Sequence, residues 1–99
     1  MSNTNDLRSA TITALTGSDQ QAVTGSTILM GFAVNDAASG TVEIRVYNGT
    51  SNSGDLVAIA KPADGGHEQL WLGTNGVHCP DGVYVDVISG TPSGSIFSR

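Results

Sequence analysis

Cys79 and the two histidines are the side chains of this sequence best suited to act as nucleophile, base or metal ligand. A catalytic nucleophile needs a base and an orienting acid nearby, and the candidates are Cys79, His78, His67 and Asp81. His78 and Cys79 are neighbours in the chain, so in a strand their side chains point to opposite faces. No GxSxG motif occurs. We therefore interpret Cys79 as a small buried core residue and predict that the protein is not an enzyme.

The stretch VYNGTSNSGDLV, residues 46–57, is the best candidate for a metal-binding loop. Asn48, Asn52 and Asp55 could offer oxygen ligands to calcium, but the acids are not clustered as in known calcium loops. Asn and Asp in such a loop more commonly form the turn itself. A zinc site would need about four ligands, so it would have to be shared between subunits. We predict no metal and no cofactor.

Asn48 also begins an Asn-Gly-Thr glycosylation pattern. The polar N-terminal segment MSNTNDLRSA lacks the apolar core of a signal peptide. We therefore expect that the chain is made in a cytoplasm and that this acceptor is not used.

Three aromatic side chains could bind sugar rings by stacking: Tyr47, Trp71 and Tyr84. Tyr47 and Tyr84 fall at outward positions of alternating segments, which keeps a glycan-binding role open. The alternative is that Trp71 anchors the core or a contact between subunits.

Composition limits the possible partners. The chain has 99 residues, enough for one domain, and a net charge of −5 with only four Lys and Arg. Nucleic-acid and anionic-membrane binding both need clustered basic residues, so neither partner is expected. No apolar run is long enough to span a bilayer. A single lysine leaves sheet edges without their usual protection, which suggests that neighbouring subunits cover them.

The elements that must position these residues are short strands. Apolar residues alternate with polar ones, and glycine-rich turns recur every eight to twelve residues, which is typical of all-β sandwiches. We predict an antiparallel β-sandwich of seven to eight strands, jelly-roll or Greek-key, in one domain over residues 8–99. Residues 1–7 are expected to form a flexible arm, and 17–21 and 35–40 to form turns. The predicted strands cover 8–14, 27–34, 41–48, 55–61, 67–72, 77–79, 82–89 and 95–98.

Alternation also predicts which side chains face the core. The inward sets are Ala10, Ile12 and Ala14 in the first strand, Ile28, Met30, Phe32 and Val34 in the second, and Val42, Ile44 and Val46 in the third. The consecutive apolar residues 56–59 predict a strand covered on both faces. Pro62 should end that strand, and Gly31 suggests a bulge or a close backbone approach.

The segment from Thr41 to Phe97 resembles small virion proteins of tailed bacteriophages. The shared pattern includes VYNGTSNSGDLV and the later run GVHCPDGVYVDVISG, followed by a short last strand. The resemblance implies a non-enzymatic capsid decoration or cement protein, located on the capsid surface of the virion.

Several partners and contacts follow from this resemblance. It implies that the protein binds the major capsid protein and forms a homo-oligomer, a dimer or a trimer. A tail, neck or fibre component is the alternative virion role, and a glycan-binding module is the alternative outside the virion. The candidate contact residues are Asn5, Leu7, Arg8, Tyr47, Trp71, Tyr84 and Phe97.

Overall fold

The computed structural model describes residues 10–36 and 40–99. These residues form nine β-strands, and none of the described residues lies in a helix. The described part of the chain therefore contains no helix that is long and apolar enough to cross a membrane. The strands are β1 (Thr11–Ala14), β2 (Gln20–Val23), β3 (Thr27–Asp36), β4 (Glu43–Asn48), β5 (Asp55–Ala60), β6 (His67–Trp71), β7 (Val77–Cys79), β8 (Val83–Ser89) and β9 (Pro92–Ser98).

The strands make two antiparallel sheets that pack face to face. Sheet A has the order β1-β9-β3-β6, and β7 also pairs with β3. Sheet B has the order β2-β8-β4-β5. The predicted all-β sandwich is confirmed, although the described residues form one strand more than the predicted maximum. The arm predicted at residues 1–7 and residues 37–39 of the turn predicted at 35–40 lie outside the described residues. The start of that turn is wrong, because Asn35 and Asp36 continue β3 and pair with β9.

Aliphatic side chains of both sheets form one core. The predicted inward set of β4 is confirmed, because Val42, Ile44 and Val46 are completely buried. Cys79 is also buried and free, as predicted. The buried cluster consists of Leu29, Phe32, Val34, Val42, Ile44, Val46, Ala60, Cys79, Val83, Val85 and Ile96.

β2 is the strand that alternation did not predict. The turn expected over 17–21 is wrong in its second half, because Gln20 begins a strand paired with β8. The Gln20 amide bonds locally, accepting from Thr16 N at 2.8 Å and donating to Ala14 O at 3.1 Å. Side-chain bonds therefore support a strand that has too few apolar residues for a periodic signal.

A bulge corrects the predicted facing of β3. Its register with β9 shifts between Leu29 and Gly31, so Met30 is the extra residue. One extra residue reverses the alternation beyond it. Leu29 therefore joins Phe32 in the core, whereas Met30 is buried outside the core cluster. The prediction that Ile28 and Met30 share the core face with Phe32 is wrong for this reason.

β5 carries a second bulge, at its edge position in sheet B. The register with β4 shifts so that Val57 is the extra residue. Leu56 and Ile59 are 50% and 47% exposed. The prediction that this strand is covered on both faces is therefore wrong. The strand does end before Pro62, as predicted.

The predicted facing of β1 is also wrong. Ala10, Ile12 and Ala14 are exposed, while Thr13 is half-buried. β1 is an edge strand, and it pairs with β9 so that Ile12 lies opposite Phe97. Apolar and polar residues do alternate in this segment, but its apolar side chains face outward.

Candidate functional site

An exposed apolar row crosses the outer face of sheet A. Ile12 lies opposite Phe97, Phe97 lies opposite Gly31, and Gly31 lies opposite Trp71. Directly opposed residues share a face, and the next residues along, Phe32 and Ile96, enter the core. Ile12 is 71% exposed and Trp71 is 63% exposed. The row therefore presents apolar groups to solvent at both edges of the sheet.

Two further rows complete this surface. The second contains Ala14, Ser95, Ala33 and Gln69, and the third contains Ser93, Asn35 and His67. None of these side chains is a carboxylate, although the chain has nine acidic residues. We call the three rows the neutral face.

Gly31 is required within the apolar row. A Cβ at this position would collide with the backbone carbonyl of Leu70 on β6. The predicted bulge and close backbone approach at this glycine are both confirmed. Gly31 itself is buried between Phe97 and Trp71, which lie opposite it on the two flanking strands.

Sheet B combines charged and apolar side chains on its strands. Arg45 lies opposite Asp86, and its Nη2 is 3.4 Å from Glu43 Oε2. Lys61 Nζ lies 3.9 Å from Glu43 Oε1. The hydroxyl of Tyr47 and the carboxylate of Glu43 raise the pKa of Arg45. Partly paired charges therefore share the strands of this sheet with three apolar side chains that are about half exposed, those of Leu56, Ile59 and Ile88.

The structure separates the three candidate stacking rings. Tyr47 and Tyr84 lie opposite each other in sheet B, but Trp71 lies in sheet A, so the three do not form one platform. Tyr47 is only 9% exposed, which leaves little of its ring for a ligand. Tyr84 is half-buried, and this desolvation raises the pKa of its phenol, with Asp19 and Asp86 adding to the effect.

The loop between β4 and β5 borders an open groove of about 600 Å³. Its polar atoms are used to build the loop: Ser51 Oγ lies 2.7 Å from Ser53 Oγ, and Gly54 N donates to Ser51 O. Asn48 Oδ1 accepts from Asp81 N at 3.0 Å, which ties the loop to the β7–β8 turn. These bonds favour the predicted structural role. Within the described residues, no group of three or more His, Cys, Asp or Glu could hold a metal.

His78 and Cys79 point to opposite faces, as predicted. Burial raises the pKa of the Cys79 thiol. His78 is exposed and lies 3.0 Å from Ser26 Oγ through its Nε2. A raised thiol pKa opposes thiolate formation, so this cysteine has the character of a core residue.

The predicted contact residues fall into three groups. Trp71 and Phe97 belong to the apolar row, while Tyr47 and Tyr84 lie in sheet B. Asn5, Leu7 and Arg8 lie outside the described residues. The sequence did not identify Ile12 as a surface contact, because an alternating segment does not reveal which of its faces is outward.

Comparison with known families, characterised proteins and solved structures finds no match. The functional argument therefore depends on the surfaces just described.

Proposed function

We propose that this protein is a non-enzymatic virion component of a tailed bacteriophage, a capsid decoration protein that binds the major capsid protein on the outer shell. The observation that carries the proposal is the exposed apolar row on a face without carboxylates. Exposed apolar groups arranged contiguously mark surfaces that meet other proteins. The resemblance of Thr41–Phe97 to phage virion proteins gives the second support.

Such a protein acts by mass action. It binds sites that exist in the expanded shell and are absent or altered in the precursor, so binding shifts the equilibrium toward the expanded form. A sandwich whose described residues have outer faces of different chemistry suits this role. A neutral face can pack against protein, while a charged face remains in water. The protein would be made in the host cytoplasm and assembled onto the capsid surface.

Quantitative mass spectrometry of purified virions tests the proposal. The number of copies is measured relative to the major capsid protein in the same particles. A decoration protein is expected at a fixed ratio to the capsid subunits, with hundreds of copies per particle. A dozen copies or fewer would refute decoration and support the tail, neck or fibre role. Absence from virions would refute both.

A second candidate function is glycan binding by sheet B. The half-buried ring of Tyr84, on the same sheet as Arg45, favours it, because sugar sites combine ring stacking with polar groups. Tyr84→Ala should then remove signal on a glycan array, while Trp71→Ala on the opposite sheet should not. A wild-type protein without array signal would refute this function.

A further inference from the structure

We propose that Asn75 is a site of spontaneous deamidation in the folded protein, whereas the fold protects Asn48 from the same reaction. The sequence has two Asn-Gly pairs, Asn48–Gly49 and Asn75–Gly76. A glycine that follows asparagine favours deamidation, because its nitrogen attacks the asparagine side chain and no Cβ hinders the approach. The proposal goes beyond the virion role and does not depend on it.

The reaction needs only water as a co-reactant. The Gly76 nitrogen attacks the Cγ atom of Asn75, and the new C–N bond closes a succinimide ring. The Cγ–Nδ2 bond breaks, and Nδ2 leaves as ammonia with the proton from the Gly76 N–H. Water then adds to one of the ring carbonyls and breaks the bond from that carbon to the Gly76 nitrogen. The product at position 75 is aspartate when water attacks Cγ, and isoaspartate when water attacks the main-chain carbonyl.

Asn75 has the freedom that this attack requires. It is exposed in the turn between β6 and β7, and no other described residue forms a hydrogen bond with its side chain. The Gly76 N–H donates to Gly73 O at 3.1 Å, and this bond closes only the turn itself. A surface turn opens at a small fraction of the free energy of global unfolding, so the Gly76 nitrogen becomes available while the sheets remain paired.

The packing of Gly76 slows the reaction without preventing it. A Cβ at Gly76 would collide with the carbonyl of Leu29, so this glycine lies directly against β3. The turn must therefore shift before the Gly76 nitrogen can reach Asn75 Cγ. We expect Asn75 to convert more slowly in the folded protein than in the unfolded chain, in which neither Asn-Gly pair is held.

Asn48–Gly49 is held at both of its reacting groups. The Asn48 Oδ1 accepts from Asp81 N at 3.0 Å, and the Gly49 N–H donates to Gly82 O at 3.1 Å. Asn48 also ends β4, where it pairs with β5 and β8, and Gly49 is buried. Attack at Asn48 therefore requires separation of segments that are distant in sequence, which costs more free energy than the opening of one turn.

Gln21 fixes the carbonyl of the protected pair. Its Nε2 lies 2.9 Å from Gly49 O and 3.1 Å from Val83 O, so it joins the start of the β4–β5 loop to β2 and β8. Loss of this amide should let the loop open more frequently and expose the Gly49 nitrogen. Gln21 therefore contributes to the protection of Asn48.

The two sites also differ in how they accept the product. Isoaspartate adds one backbone atom, which an exposed turn tolerates and the paired end of β4 does not. Arg99 Nη1 donates to Thr74 O at 3.3 Å, so a guanidinium lies beside the turn that gains a carboxylate. We expect the protein modified at Asn75 to remain folded, with one more negative charge than its native −5.

Peptide mapping of the full chain by mass spectrometry, after incubation in mildly alkaline buffer, measures both sites in the same sample. Conversion of an amide to a carboxyl group raises the peptide mass, and chromatography separates the aspartate and isoaspartate forms. In the folded protein Asn75 should convert at least about tenfold faster than Asn48, because a surface turn opens more readily than paired strands. In urea above the unfolding midpoint, the two rates should differ by less than about threefold, since no fold protects either pair.

Gln21→Ala should raise the conversion rate of Asn48 at least about threefold and leave the rate at Asn75 unchanged. Gln69→Ala is the matched control, since Gln69 is exposed, and it should change neither rate. Circular dichroism verifies that each variant is folded, and the comparison of the native chain with and without urea decides the proposal even if Gln21→Ala does not fold. The proposal is overturned if Asn75 stays intact in the folded protein while the unfolded chain converts, or if Asn48 converts there as fast as Asn75. An Asn48 rate that a folded Gln21→Ala variant leaves unchanged would overturn the proposed protection.

Discussion

Replacing Gln21 with alanine should destabilise the sandwich far more than a typical polar substitution at a half-buried position. Gln21 Nε2 lies within hydrogen-bond distance of three backbone carbonyls, those of Val23 (2.9 Å), Gly49 (2.9 Å) and Val83 (3.1 Å). These acceptors belong to β2, to the β4–β5 loop and to β8. One side chain therefore connects three segments that are distant in sequence.

The magnitude follows from the number of bonds that can exist together. A primary amide has two hydrogens, so two acceptors are bonded fully at any moment. A buried acceptor left without its donor costs about 1–3 kcal/mol, and ladder bonds reduce that loss where they already satisfy the carbonyl. Gly82 packs closely against this amide, since a Cβ there would lie 2.9 Å from Gln21 Nε2. We therefore expect Gln21→Ala to lower the free energy of unfolding by about 2 kcal/mol.

Urea unfolding followed by far-UV circular dichroism measures this difference. A loss of about 2 kcal/mol corresponds to a fall in Tm of about 8–16 °C for a domain of this size. Gln69→Ala is the matched control, because Gln69 is exposed on the neutral face, and it should change the unfolding free energy by less than about 0.5 kcal/mol. Equal effects of the two substitutions would show that the three-acceptor bond does not stabilise the fold.

Three other substitutions or titrations test separate parts of the structure. Gly31→Ala should lower the free energy of unfolding by about 2–4 kcal/mol, measured by thermal unfolding, because the new Cβ meets a carbonyl of β6. Gly65→Ala meets open space and should lower it by about 1 kcal/mol, because Gly65 has a positive φ. Similar losses in the two variants would contradict the steric argument. Cys79 should react with a thiol reagent only as fast as the protein unfolds, and rapid labelling of the native protein would show that it is accessible. Because the pKa of Tyr84 is raised by folding, its contribution to stability is present below the unfolded-state value of about 10 and is lost as the pH rises through the folded-state value. Tyr84→Phe should therefore flatten the decline of Tm above about pH 10, and an unchanged decline would assign it to other groups.

Alternation predicted the central strands of sheet B well and failed at the bulges. Val42, Ile44, Val46, Val83 and Val85 are all buried, and the register shift in β8 falls only near its end, at Ile88. In β3 and β5 a single extra residue changes the side that later residues face. A bulge forms to fit the partner strand, which is distant in sequence, so local periodicity does not contain it.

The candidate site could be predicted only in part, for a related reason. Trp71 and Phe97 were among the predicted contact residues, and the structure places both in the apolar row. Their membership in one row depends on registers between β1, β9, β3 and β6, which join residues from opposite ends of the chain. Ile12 was assigned to the core, since its segment alternates as a core strand would. Only the pairing with Phe97 shows that the segment presents its apolar side to solvent.

The bulge at Met30 connects the core to the neutral face. The first half of β3 pairs with β7, where Leu29 lies opposite Val77, and the second half pairs with β6, where Gly31 lies opposite Trp71. The register shift falls between these two partners, and the Met30 carbonyl accepts from Leu72 N at 2.7 Å, so the irregular peptide remains bonded. The same extra residue thus directs Leu29 into the core and keeps Gly31 outward, between Phe97 and Trp71.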